Sequence, residues 1–335
     1  MGLKKKCVDL SLVLVCFGCQ SVLLLAQPAP VQQFEENQRN RDQQESLLNN
    51  FTTTNAPELY SGENEDVGPQ RILKIKPTPT YFEGLADTQY AYTDNNRLTD
   101  VNKTSTAYTI NTVQLAFAPL PYELGEGKFA PRIGLRSQWY NYGLDGSGGG
   151  ENRLDFEAQT FFASGQYLWH THWEFDGEVD YTRLVTQRDY EEFYSETMPE
   201  LTVQRLFQLK DNLIVSLSLQ EAYHFSKVPD SSGTFRDVND RLDSIAGLTA
   251  SFQAFGRLVL QPYYRFDHTY YPRDFADAKR NDFLHTVGLS ATYYFTRQIS
   301  TRIYASGSFR TSDDPNTSSY EKFDTGIGAS LLLRF

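Results

Sequence analysis

Lys322-Phe323-Asp324-Thr325-Gly326-Ile327-Gly328-Ala329-Ser330-Leu331-Leu332-Leu333-Arg334-Phe335 is the stretch on which the fold turns. Phe323, Thr325, Ile327, Ala329, Leu331, Leu333 and Phe335 fall on one parity. Asp324, Gly326, Gly328, Ser330 and Arg334 fall on the other, with Leu332 the one exception. Side chains along a strand alternate with a period of two, so one face is oily and the other small or polar. A wall with lipid outside and water inside requires that pattern.

The opposite end of the chain says where such a wall is delivered. Lys4, Lys5 and Lys6 precede an apolar run from Leu10 to Leu25, followed by Ala26 and the polar Gln27-Pro28. That order is a secretory signal peptide, with cleavage expected after Ala26. All three cysteines, Cys7, Cys16 and Cys19, lie inside it, so the mature chain is expected to carry no thiol, disulfide or Cys-ligated metal. Acylation of Cys19 is disfavoured because Cys16 stands where an apolar residue is needed.

The chain carries a net charge of −11, and loss of three Lys and one Asp with the signal peptide makes it more acidic still. An acidic chain is a poor nucleic-acid partner. Aromatic residues make up 14% while the mean hydropathy is only −0.49, so bulky side chains are spread through a polar sequence. No run after the signal peptide is long enough for a membrane-spanning helix, which leaves strands as the route into a bilayer. Residues 27–79 are rich in Gln, Asn and Glu and poor in apolar residues, and read as a flexible polar periplasmic extension with a short helix from Phe34 to Leu48. Ile72, Leu73 and Ile75 offer a minor plugging option.

From residue 80 to 335 the alternation recurs in twelve segments, approximately 80–93, 105–118, 130–143, 153–167, 172–186, 192–208, 213–226, 240–254, 257–270, 281–295, 299–311 and 319–335. Longer polar connections alternate with tight ones, except for the longer Pro119 to Phe129 on the tight side. An even number of strands with short turns on one side and long loops on the other predicts an all-β, transmembrane antiparallel up-and-down β-barrel in the outer membrane, both termini periplasmic. Strands of this length exceed the roughly 5–6 residues usual in a soluble sandwich. Aromatic residues gather near strand ends, as at Trp139-Tyr140 and Tyr293-Tyr294-Phe295, in the manner of two interfacial girdles.

The sharpest polar constellation is Glu174, Asp176, Glu178 and Asp180, all on one face by their spacing, joined by Asp155 and Glu157 from the preceding strand as an acidic lumen face. Arg136, Arg265, Arg302, Arg310 and Arg334 share the inward parity as a basic lumen face. Opposed charges across a water-filled passage create a transverse field that orients polar solutes. The bland reading is that these charges pair with neighbours and fill a bore whose backbone diameter, for twelve strands, is only about 24 Å. No cofactor, metal site or catalytic residue is expected. His170 and His172 read as a turn, and His268 and His285 as outward rim residues.

Three resemblances add to this. Gly328 to Phe335 resembles the C-terminal β-signal of Gram-negative outer-membrane proteins, which implies that Gly328, Leu331, Leu333 and Phe335 are read by the barrel-assembly machinery. Pro262 to Asp267, Arg280-Asn281-Asp282 and Gly288 to Phe295 resemble the β-barrel porins of Gram-negative bacteria, some encoded with exopolysaccharide genes. That resemblance implies a passive channel for small hydrophilic solutes or a polysaccharide chain, set among outer-membrane lipids and lipopolysaccharide. His224-Phe225-Ser226 resembles the His-Ser pair of outer-membrane phospholipase A, although Lys227 and Val228 replace the Asn and Gly that follow there. The alternatives to a channel are thus a closed structural or adhesive barrel with partner-binding outer loops, and a barrel-embedded lipid hydrolase.

Overall fold

The structure is a computed structural model that describes residues 30–35, 37–38, 81–144, 155–170, 172–210, 212–229, 235–236, 239–273, 279–315 and 317–335. Its strands are β1 (Phe82–Thr93), β2 (Thr106–Phe117), β3 (Tyr122–Leu124), β4 (Gly127–Tyr142), β5 (Phe156–Trp169), β6 (Trp173–Thr186) and β7 (Glu192–Lys210). They continue as β8 (Leu213–Pro229), β9 (Phe235–Arg236), β10 (Arg241–Phe255), β11 (Leu258–Tyr271), β12 (Arg280–Tyr294), β13 (Ile299–Ser312) and β14 (Tyr320–Arg334). Each long strand pairs antiparallel with the next, β8 pairs with β10, and β14 returns to β1. With β3 and β9 as short side ribbons, the result is a closed barrel of twelve long strands. Closure satisfies every ladder without leaving an edge, which is the condition for strands in a bilayer.

The connections alternate as the sequence predicts. The exceptional segment after Pro119 forms a hairpin in which Leu124 opposes Gly127, so two residues make the turn. The first of them, Gly125, has φ +59, a left-handed value that only glycine adopts cheaply. Gly256, at φ +46 between Phe255 and Leu258, does the same for the β10–β11 turn.

Outward residues form an apolar belt. Leu135, Leu219, Val287 and Ile303 are 55 to 65% exposed, a large oily surface that water would not tolerate and lipid accepts. Rings crowd both rims: Phe82 stacks on Phe335 at the short-turn end, and Phe266 stacks on Phe283 toward the long-connection end. In β14 the residues Phe323, Ile327, Leu331 and Leu333, and Phe335 just after it, are exposed on the outside, while Lys322 and Asp324 are buried within.

Several inward rings lie flat against the wall, each opposite a glycine. Phe162 faces Gly134, Tyr263 faces Gly288 and Tyr304 faces Gly326 in the ladders. A β-carbon at any of these glycines would run into the opposite ring. Such pairs shield bare backbone and keep the bore from filling with upright rings.

The expected signal peptide, 1–26, lies outside the described residues, as do Ile72, Leu73 and Ile75. Residues 30–35 and 37–38 are helical and largely buried; they overlap the expected helix at Phe34, Glu35, Asn37 and Gln38 and begin before it, at Pro30. Phe34 packs on Tyr140 of β4, and Glu35 meets Arg241 of β10, on the other side of the barrel. A short helix touching both walls lies inside the lumen. Val31 and Phe34, three apart and therefore on one helix face, join Tyr108, Tyr140, Tyr142, Phe156, Leu184 and Tyr194 in a buried apolar cluster. The interior core of this barrel is thus a small one at its long-connection mouth.

Candidate functional site: the lumen wall and its mouth

Glu174, Asp176, Glu178 and Asp180 all face the lumen from β6, as their spacing predicts. Thr182 of the same face bonds the inward Thr160, and Val179 and Tyr181 point out. β7 extends the acidic wall with Glu196 and Glu200, and Glu178 directly opposes Glu200. Like charges placed opposite each other cost stability, so this pair is kept against a folding penalty. Glu174 accepts a hydrogen bond from Gln166, Glu200 accepts one from Thr202, and one oxygen of Asp176 is buried with no partner among the described residues.

Asp155 and Glu157 do not belong to this face. The inward Tyr140 opposes Phe156, so Phe156 points in and Glu157 shares the outward parity of the exposed Phe161. Glu157 accepts hydrogen bonds from Ser137 at 2.6 Å and Gln159 at 3.0 Å, a polar patch on the outer side near the rim. Asp155 precedes β5 and accepts the Tyr142 backbone N–H at 2.7 Å; partial burial pushes its carboxyl above the ordinary range. Near a rim the outer face no longer needs to be oily, and alternation by itself then assigns the wrong side.

The basic residues Arg136, Arg265, Arg302, Arg310 and Arg334 all have inward parity, and most are already paired. Arg265 bonds Asp267 at 3.1 Å, two residues along the same strand. Arg280 does the same with Asp282, Arg310 bonds that Asp282 from β13, and Lys322 bonds Asp324. Arg334 and Arg132 share Glu83, at 3.1 and 2.6 Å. Arg136 lies only two strands from the acidic wall and reaches Asp180 at 3.3 Å over the inward Phe162 ring, with both charged side chains buried. Of the five, Arg302 makes no ion pair among the described residues, and its Nε has no hydrogen-bond partner. Hence most cations of β10 to β14 have a carboxylate beside them, although Arg280 and Arg310 share Asp282 and Arg302 has none among the described residues, whereas β6 and β7 carry an excess of carboxylates.

The mouth holds the densest network. His224 places Nδ1 2.8 Å from Glu196 and Nε2 3.1 Å from Asp243. Each ring nitrogen that carries a proton has a carboxylate to donate to. Arg241 Nη2 sits 2.8 Å from Glu35, and its Nε lies 3.3 Å from Asp243. Glu35, Glu196 and His224 have donor atoms close enough together for a metal, but the Arg241 guanidinium lies 3.0 Å from His224 Nδ1 and fills that place with positive charge. Ser226 hydrogen bonds Asp240 at 3.3 Å, while both nitrogens of His224 are engaged elsewhere, so the two form no nucleophile and base pair.

His170 and His172 lie at the β5–β6 turn, where His170 meets Glu126 at 3.0 Å. His268 and His285 are outward, and Tyr264 bonds His285 at 2.8 Å. Gly328 is inward, opposite Gln89 and Arg302, while Leu331 and Leu333 lie on the lipid side. Phe335 accepts the backbone N–H groups of Tyr81 and Phe82. Sequence reasoning missed Gln33, Glu35, Arg241, Glu196 and Asn96. The i, i+2 recurrence of Arg241-Asp243, Arg265-Asp267 and Arg280-Asp282 on inward faces was the available signal for Arg241.

A closed antiparallel barrel, oily without and charged within, defines a transmembrane β-barrel of the outer-membrane type. No protein-family model matches the chain, and no curated protein matches it. Among solved structures, the chain is similar to the COG4313 outer membrane channel from Pseudomonas putida F1. The two share 15% identity over 81% of this chain and 99% of that one, with a TM-score of 0.50. It is also similar to the KdgM porin in complex with disordered oligogalacturonate (10% identity, 74% and 98% covered, TM-score 0.39). A third likeness is to the β domain of the Bordetella autotransporter BrkA (15% identity, 74% and 98% covered, TM-score 0.41). At these identities the likeness is one of fold: the chain is a closed antiparallel β-barrel of the outer-membrane type, as the COG4313 channel is.

Proposed function

We propose that the protein is a porin-like channel through which small hydrophilic solutes or a polysaccharide chain diffuse passively, with the start of β1 and the end of β14 on the periplasmic side. The observation that carries this reading is the continuous charged face inside the closed barrel. A structural barrel gains nothing by placing Glu178 against Glu200 in its interior, whereas a conducting one gains a field along its path. Because the arginines of β11 to β14 are mostly paired and the β6 and β7 carboxylates outnumber their partners, the passage favours cations over anions. Lipopolysaccharide and the outer leaflet surround the belt, and the barrel-assembly machinery reads the segment ending at Phe335.

The helix that fills the mouth favours the second reading, a closed structural or adhesive barrel whose outer loops bind a partner. Planar-bilayer recording separates the two. Discrete current steps from the full chain, or from a variant lacking residues 30–38, support the channel. A correctly inserted barrel that is silent in both forms overturns it in favour of the closed barrel.

A further inference from the structure

We propose that the N-terminal helix is an autoinhibitory plug: residues 30–38 close the lumen at the long-connection mouth through a Glu35–Arg241 ion pair and an aromatic seat, and the channel conducts when that helix withdraws. This rests on the channel reading above.

The seat exists without its occupant. Tyr108 stacks on Tyr142 with ring centroids 5.0 Å apart, and Tyr140 on Phe156 at 4.4 Å, so the shelf that receives Phe34 is held by contacts within the wall. Arg241 likewise has a partner in the wall itself, Asp243 at 3.3 Å. Gln33 closes the third side, donating from Nε2 to the Asn96 carbonyl and to its side-chain oxygen, both at 2.7 Å, while Tyr142 donates to Gln33 at 2.8 Å. The helix therefore meets β1–β2, β4 and β10 at once, which only a body spanning the bore can do.

Holding is modest by construction. Two buried apolar side chains and a few polar contacts oppose the ordering entropy of a short segment, and these terms are of similar size. None of the barrel ladders runs through the helix, so its release costs no strand pairing. The link also permits it: residues 39–80 separate the helix from β1, which begins at the far, short-turn end. At about 3.3–3.6 Å of reach per residue, that length allows the helix to clear the mouth.

The test records the full chain in planar bilayers beside Phe34→Asp, Glu35→Arg, Phe34→Leu and the variant lacking residues 30–38. The full chain and Phe34→Leu rest mostly closed; Phe34→Asp and Glu35→Arg raise the open fraction by about tenfold or more. The shortened variant stays open at the unitary conductance of the others. Equal open fractions in all five overturn the plug and leave the channel standing. Silence in all five, the shortened variant included, removes the channel reading and the plug with it.

Discussion

Phe335 and Phe82 hold the two ends of the barrel together: their rings stack 6.0 Å apart, and each backbone N–H donates to the other's carbonyl, at 3.0 and 2.9 Å. This contact closes the end of the β1–β14 ladder, which runs from Glu83 opposite Arg334 to Thr93 opposite Asp324. Removing Phe335 takes away its hydrogen bonds and the ring contact, each worth about 1 kcal/mol. The thermal midpoint of the detergent-folded protein, followed by heat-modifiable migration, is expected to fall, and the Phe335→Ala variant, which keeps the backbone bonds, to fall less. Equal losses would show that the ring and not the seam matters.

Tyr304 lies across Gly326, and the three atoms nearest to a β-carbon there would all belong to its side chain, at 2.8 Å. Gly326→Ala is expected to destabilise by about 1–3 kcal/mol, the usual cost of overpacking. In a Tyr304→Ala background the same substitution should cost little, as a double-mutant cycle of unfolding midpoints would report. An undiminished penalty would place its origin in the backbone.

Arg136 and Asp180 are a buried pair at 3.3 Å. Losing one partner leaves the other charge uncompensated, a cost of about 3–5 kcal/mol in a dry interior and less in a wet lumen. Asp180→Ala is therefore expected to lower stability more than Arg136→Met combined with Asp180→Leu. Denaturant midpoints decide it.

Cation preference is expected to depend on β6. In a salt gradient, the reversal potential of the shortened, unplugged variant should indicate cations over anions, and Glu174→Gln, Asp176→Asn and Glu178→Gln together should move it toward zero. An unchanged potential would assign selectivity to other groups.

Asp313, in the β13–β14 connection, accepts the Asn281 backbone N–H and its side-chain amide, both at 2.7 Å, and these bonds hold its carboxyl below the ordinary range. A folded-state value below the unfolded one means the contribution is present above the unfolded pKa of about 3.9 and disappears as pH falls through the folded value. NMR titration of the Asp313 carboxyl should give a midpoint below that figure; a midpoint at or above it would contradict the contact.

Much of this was readable in the chain. The twelve strands, their tight and long connections and the inward face of β6 followed from period-two alternation and turn residues, because lipid outside and water inside leave each strand little choice of side. Glu157 was misread for the same reason: near the rim the outer surface is wet, and the rule loses its force. The helix at 30–38 was legible only in part: a helix was expected from Phe34, but neither its earlier start nor its place inside the lumen. Its apolar signal is only Val31 and Phe34, and its partners lie far along the chain, as Gln33 and Asn96 do.

The most direct test places single cysteines along β14 from Phe323 to Leu333 in the bilayer-embedded protein and measures access from lipid and from water. Positions 323, 325, 327, 329 and 331 should report lipid, and 324, 326, 328 and 330 water. Loss of that alternation, with both parities equally wet, would contradict a closed barrel in a membrane.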